Sequence, residues 1–197
     1  MLKLITAATV DPVTSVEAKN YLSIDGTDYD SLIFDMIKAT TDIFERYTRT
    51  SIITETYDLV LDKAFLGRYD VGMSRVAAMS IPNQILLPRP PLQSITGVYV
   101  TDDLGNETLV DPSYYSVDTI STPGRIFLNL GYVWPYYRWP DGFRVRFVAG
   151  YPDANSYPKG IKLTFYMLLA HQYYHRGDDD AKIPDYLKAR LDMYKVY

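Results

Sequence analysis

The stretch "DGFRVRFVAGYPDANSYPKGIKLTFYMLLAHQYYHRG", residues 141–177, changes its period halfway along. Phe143, Val145 and Phe147 alternate with Arg144 and Arg146, which predicts a strand with one buried and one wet face. After Pro158 the alternation is gone, and residues 159–176 are apolar around most of a helical circumference, so this helix should be central and well buried. Gly177 stops it. Strand-type sequence lies before this junction and helix-type sequence after it.

Upstream of residue 141 the β pattern continues at short intervals. "TYDLVLD" at 56–62 alternates Tyr57, Leu59 and Leu61 with polar positions. Val98 and Val100 alternate before "DDLGN", whose Gly105 and Asn106 suit a tight reversal into Thr108–Val110. "YYSVD" and "GRIFLNL" follow in the same style, whereas residues 65–80, with two glycines and no sustained period, read as a loop. Strands this closely spaced predict antiparallel pairing in a sheet or small barrel, without alternating βα units.

Helix signals return at the N-terminal side. Thr14 and Glu17 have capping-box spacing, and the sequence predicts a short helix over 15–22. After the turn "SIDGTD", Thr27 or Asp28 caps a longer helix to about Tyr47. Ile33, Met36, Ile37, Thr40, Ile43, Phe44 and Tyr47 recur on one stripe of it. Beyond residue 177, "DDDAK" is a solvated turn into a last helix that starts near Pro184 and carries Leu187, Leu191 and Tyr194 on one stripe. The expected class is α+β: residues 1–50 and 151–197 form a small helical module from both chain ends, and residues 51–150 form an inserted antiparallel β-domain.

Charge and composition narrow the functions. The chain has 197 residues and a formal net charge of −4. Residues 1–50 carry five basic and eight acidic groups, 51–150 eight and ten, and 151–197 seven and six. No segment is a basic patch of the kind that holds nucleic acid by neutralising phosphates, although a mildly acidic wall suits DNA that only slides past. With no cysteine there is neither a disulfide framework nor a thiolate metal site. No apolar run approaches the length of a membrane span, and the N-terminal segment is too weakly apolar for a signal peptide. Nineteen tyrosines supply amphipathic area favoured both in sheets and at interfaces.

Two clusters invite a chemical reading. His171 and His175, the chain's two histidines, stand at the i, i+4 spacing that places two metal ligands on one helix face. A catalytic zinc usually takes three protein ligands, "HQYYH" lacks the glutamate of the metalloprotease motif, and only carboxylates remain to complete a set. The plainer reading is a polar end to a buried helix, with the histidines hydrogen-bonding to neighbours. The second cluster, "GYVWPYYRWPDGF" at 131–143, packs Tyr132, Trp134, Tyr136, Tyr137, Trp139 and Phe143 into twelve residues. It suits a sugar-stacking platform, a protein-contact loop or the filling of one end of the β-domain. No serine elbow, P-loop or dinucleotide fingerprint is present, so no catalytic residue, metal or cofactor is assigned.

In order, "PVTSVEAKNYLSIDGTDYDSLI", "SIITETYDLVLD", "ILLPRPPLQSITGVYVTDDLGN", "WPDGFRVRFVAGYPD", "YPKGIKLTFYMLLAHQYYHRG" and "IPDYLKARLDMY" resemble the head–tail connector (adaptor) proteins of long-tailed bacteriophages, in the variety with a β insertion between helices. The resemblance spans nearly the whole chain and is weakest over 65–80. It implies a non-enzymatic protein of the virion, made in the host cytoplasm and assembled as a ring, commonly dodecameric, beneath the portal protein. Such a ring extends the channel through which DNA passes without sequence-specific binding, and its other face receives the stopper or tail-completion protein. The long N-terminal helix and the C-terminal helix become suppliers of the ring interface. The segment reaching towards the portal would contain Leu191, Tyr194 and Tyr197, and the aromatic loop with Trp134 and Trp139 would add subunit or tail contacts. The competing expectation is a small metal-dependent or carbohydrate-binding module built on His171 and His175 or on the 132–143 loop.

Overall fold

A computed structural model describes residues 1–62, 84–178 and 182–196. The loop expected over 65–80, the aspartates 179 and 180 and the terminal Tyr197 lie outside the described residues. The chain divides into two compact units: a β unit of Met1–Ala7 and Glu55–Ala149, and a helical unit of Ala8–Thr54 and Gly150–Tyr197.

In the β unit a five-stranded antiparallel sheet runs in the order β1-β2-β8-β4-β5, with β1 Leu2–Thr6, β2 Glu55–Leu61, β4 Leu92–Thr101, β5 Glu107–Leu109 and β8 Phe143–Ala149. A three-stranded antiparallel sheet has the order β3-β7-β6, from Gln84–Leu86, Arg125–Leu128 and Tyr115–Asp118. The two sheets share one core: Tyr57, Val98, Val100, Phe143, Val145 and Phe147 of the larger sheet are buried in one cluster with Ile85, Tyr115 and Ile126 of the smaller. At Gly124 an added methyl group would come within 2.6 Å of the Leu92 side chain, so the approach of these two segments requires glycine.

The alternation read in 143–147 holds, with Phe143, Val145, Phe147 and Ala149 buried and the residues between them partly exposed. The sequence reading left β1 out. Residues 1–7, expected in the helical module, instead supply an edge strand that pairs Leu2 with Leu59 and Leu4 with Tyr57, and the Met1 ammonium donates to the Val60 carbonyl at 2.6 Å.

The helical unit contains α1 Ser15–Leu22, α2 Asp30–Thr48, α3 Lys159–Tyr174 and α4 Asp185–Asp192. The capping box forms as expected: Glu17 N–H donates to Thr14 Oγ1 at 3.2 Å, and Thr14 N–H donates to Glu17 Oε2 at 3.0 Å. α2 begins one or two residues later than expected, with Tyr29 at the cap position and no side-chain cap. It buries Ile33, Ile37, Thr40, Phe44 and Thr48, while Ile43, expected on the buried stripe, is exposed. α3 is the centre, burying Ile161, Thr164, Phe165, Leu168, Leu169 and Tyr173. Its neighbours contribute Ala18 and Leu22 from α1 and Leu187 and Leu191 from α4.

Candidate assembly surfaces

Three regions carry the residues singled out by sequence. The first is the loop 129–142, which closes one end of the β unit. Trp134 turns inward, 6% exposed, with its ring edge-on to Phe143 at 5.0 Å and tilted against Tyr115 at 6.0 Å. Expected among the contact residues, it fills the core between the two sheets, where an indole buries a large area. Tyr137 packs edge-on to the same Phe143. Trp139 is 70% exposed, as is Tyr136, so of the two tryptophans only Trp139 is presented outward.

Hydrogen bonds to the neighbouring strand ends hold these outward rings in place. Arg138 N–H donates to the Thr101 carbonyl and Thr101 N–H to the Gly142 carbonyl, both at 2.8 Å. Tyr136 Oη donates to Asp103 Oδ2 at 2.6 Å, and this hydrogen bond to a carboxylate pushes the phenol pKa up. Asp141 N–H reaches Asp62 Oδ1 at 3.3 Å. At the next turn Asp102 accepts from Asn106 Nδ2 and from the N–H groups of Leu104 and Asn106, which holds its carboxyl below the usual range. The result is a hydrogen-bonded rim with the carboxylates of Asp62, Asp102, Asp103 and Asp141, where Arg138 is the one cation of the loop among the described residues, and with Leu104, Tyr136 and Trp139 exposed among them.

The second region is α4 and the residues after it. Leu191 is 0% exposed, and Tyr194 is partly buried with its ring against Phe44 at 6.4 Å. Both were expected to reach a partner, and both instead anchor the chain end to α2 and α3, because the stripe they occupy is the one that docks the helix. Tyr194 lies so close to Gly160 of α3 that a methyl group there would overlap its hydroxyl. The face α4 leaves outward carries Tyr186, Arg190 and Met193, spaced i, i+4 and i+7. No signal in the sequence separated these from the buried stripe, since Tyr and Met serve either face.

The third region is the end of α3. The His171 and His175 rings lie 4.4 Å apart, and His175 turns back to its own helix, with Nδ1 2.8 Å from the His171 carbonyl. Among the described residues His171 Nε2 and Gln172 Nε2 are buried with no hydrogen-bond partner, whereas His171 has a backbone hydrogen bond at Lys182 and Gln172 Oε1 accepts from Thr40 Oγ1 of α2 at 3.3 Å. Burial pushes the His171 pKa down, and the adjacent His175 adds to this. Among the described residues no group of three or more His, Asp or Glu is placed to hold a metal ion. No described helix is long and apolar enough to cross a membrane.

One ionic network lies outside all three regions, on the face of the larger sheet opposite its core. Asp58 of β2, 5% exposed, accepts two bonds from Arg146 at 2.7 and 2.8 Å and one from Arg144 at 3.1 Å. Arg144 also grips Glu107 through two bonds and stacks over Tyr99. Burial works to raise the Asp58 pKa, but the bonds and charges of Arg146 and Arg144 outweigh it and the net shift is downward.

No protein-family model matches the chain, and no curated protein sequence matches it. Its fold does match solved structures. A chain in the neck of an empty gene transfer agent particle, computed with C6 symmetry, superposes with a TM-score of 0.79 at 19% identity, covering 100% of this chain and 96% of that one. Chains in the neck of the native particle computed with C12 symmetry, and in the virion of the native particle, give TM-scores of 0.74 at 20% identity with the same coverage. At these identities the likeness is one of fold, and it extends from end to end.

Proposed function

We propose that this protein is a structural subunit of the neck of a phage-like particle, a head–tail connector of the adaptor type. The observation that carries the proposal is the full-length likeness to neck chains of gene transfer agent particles, whose structures were computed with C6 and C12 symmetry. Copies assemble as a ring, and a ring of twelve accords with both symmetries. The ring sits beneath the portal protein, extends the DNA channel and presents its other side to a stopper or tail-completion protein. Its place of action is the virion, after synthesis in the host cytoplasm.

The surface chemistry supports this reading. A net charge of −4, with no segment of the sequence rich in basic residues, accords with DNA passage without binding. Exposed aromatic side chains fixed on a hydrogen-bonded loop are interface material, because their ordering cost on association is small. The metal-dependent reading lacks a third ligand to the histidine pair among the described residues, and the carbohydrate-binding reading loses Trp134 to the core. The test is removal of the gene from a particle-producing strain. Loss of tails from otherwise complete heads, restored by the gene in trans, is expected, and fully tailed, infectious or transducing particles without the protein would refute the proposal.

A further inference from the structure

A ring needs a heterologous interface, in which two different surfaces of each subunit meet. This chain carries two exposed surfaces of complementary chemistry. The first is the end of the β unit, where Tyr136 and Trp139 stand among the carboxylates of Asp62, Asp102, Asp103 and Asp141. The second is the outward face of α4, where Arg190 stands between Tyr186, 58% exposed, and Met193, 77% exposed. On α4, Asp185 is paired with Lys188 and Asp192 accepts from Tyr47. Arg190 makes no ion pair among the described residues.

We propose that the acidic, aromatic end of the β unit receives the outward face of α4 from the neighbouring copy, with the Arg190 guanidinium seated against Trp139 and the carboxylates of Asp103 and Asp141. This deepens the proposed ring and rests on it. A guanidinium is the cation that both stacks on an indole face and pairs with carboxylates, and here a single site offers both. Met193 and Tyr186 supply the apolar flanks, since a thioether packs well against an aromatic ring. The two surfaces differ, so in a ring each copy offers one of them to each neighbour and the contact repeats from subunit to subunit.

The pairing is tested by charge reversal in the full-length chain. Arg190→Glu makes the α4 face acidic, and a second variant, Asp103→Lys with Asp141→Lys, makes the rim basic. Arg190 is exposed, so its variant should melt near wild type, while the rim variant loses the Tyr136 hydrogen bond and puts Lys at a left-handed position, so it is compared below its own melting temperature. By native mass spectrometry, or electron microscopy with the portal present, each variant alone should lose ring at least about tenfold, the worth of one weakened contact. An equimolar mixture should recover to within about twofold of wild type, because each variant then supplies the surface the other needs. Where rings are short-lived, cross-linking reads the same contact. The chain has no cysteine, so an oxidised Asp103→Cys, Arg190→Cys double variant should give a ladder above dimer that neither single variant gives. If single variants assemble normally, or the mixture is no better than either alone while wild type forms rings, the pairing is wrong and another chain covers these surfaces. If wild type forms no ring even with the portal and no ladder appears, the ring itself is wrong.

Discussion

Asp58 shows how a polar residue can hold a sheet together from its outer face. It sits on β2 directly across from Arg146 of β8, in a register fixed by the buried alternation on the opposite side of the same strands. Asp58→Ala leaves two arginines without their shared carboxylate and should cost about 2–3 kcal/mol, less than the ~3–5 kcal/mol of a fully buried pair because Arg146 remains a third exposed. Urea denaturation measures it. Because the folded-state pKa is lowered, this stabilisation is complete above the unfolded value of about 4 and is lost as the pH falls below it. The Asp58→Ala variant should therefore lose less stability than wild type between pH 5 and pH 3. The two tryptophans separate in the same assay: Trp134→Ala should cost about 3–5 kcal/mol, whereas Trp139→Ala should stay within about 0.5 kcal/mol. The sequence made this aromatic density plain and could not say which ring turns inward. An irregular loop has no period, and burial there is set by the partners Phe143 and Tyr115, one of them from a distant strand.

Among the elements, those with a strong local period were legible. The capping box placed α1, the apolar circumference placed α3, and strict alternation sorted the two faces of β8. β1 was not legible, because Leu2, Leu4 and Ile5 do not alternate cleanly and the partner that makes them a strand lies more than fifty residues away. α4 was placed correctly but its faces were misjudged. Leu191 and Tyr194 dock the helix, leaving Tyr186, Arg190 and Met193 outward. The end of α3 gives a pH prediction. The folded state favours neutral His171, while the unfolded chain takes up a proton near pH 6.5, so stability is full above that value and declines as the pH falls below it. His171→Gln should flatten the fall in melting temperature between pH 7 and pH 5, and an unchanged slope would assign that dependence to other groups.

For the whole molecule, the chain order of helices, strands and helices was readable from where the period changes, and an end-to-end fold likeness to neck chains answers to that order. What sequence could not supply was the sorting of aromatic and aliphatic residues between core and surface, since the same residue types serve both. That sorting moves the expected contact points from Trp134, Leu191 and Tyr194 to Trp139, Tyr186, Arg190 and Met193, and it does so without altering the proposed role. The central claim is assembly at the portal. Electron microscopy of the purified protein mixed with portal rings tests it most directly. A closed ring of this fold, coaxial with the portal and with a continuous central channel, is the predicted result. Portal rings that remain bare, with the protein monomeric beside them at high concentration, would contradict it.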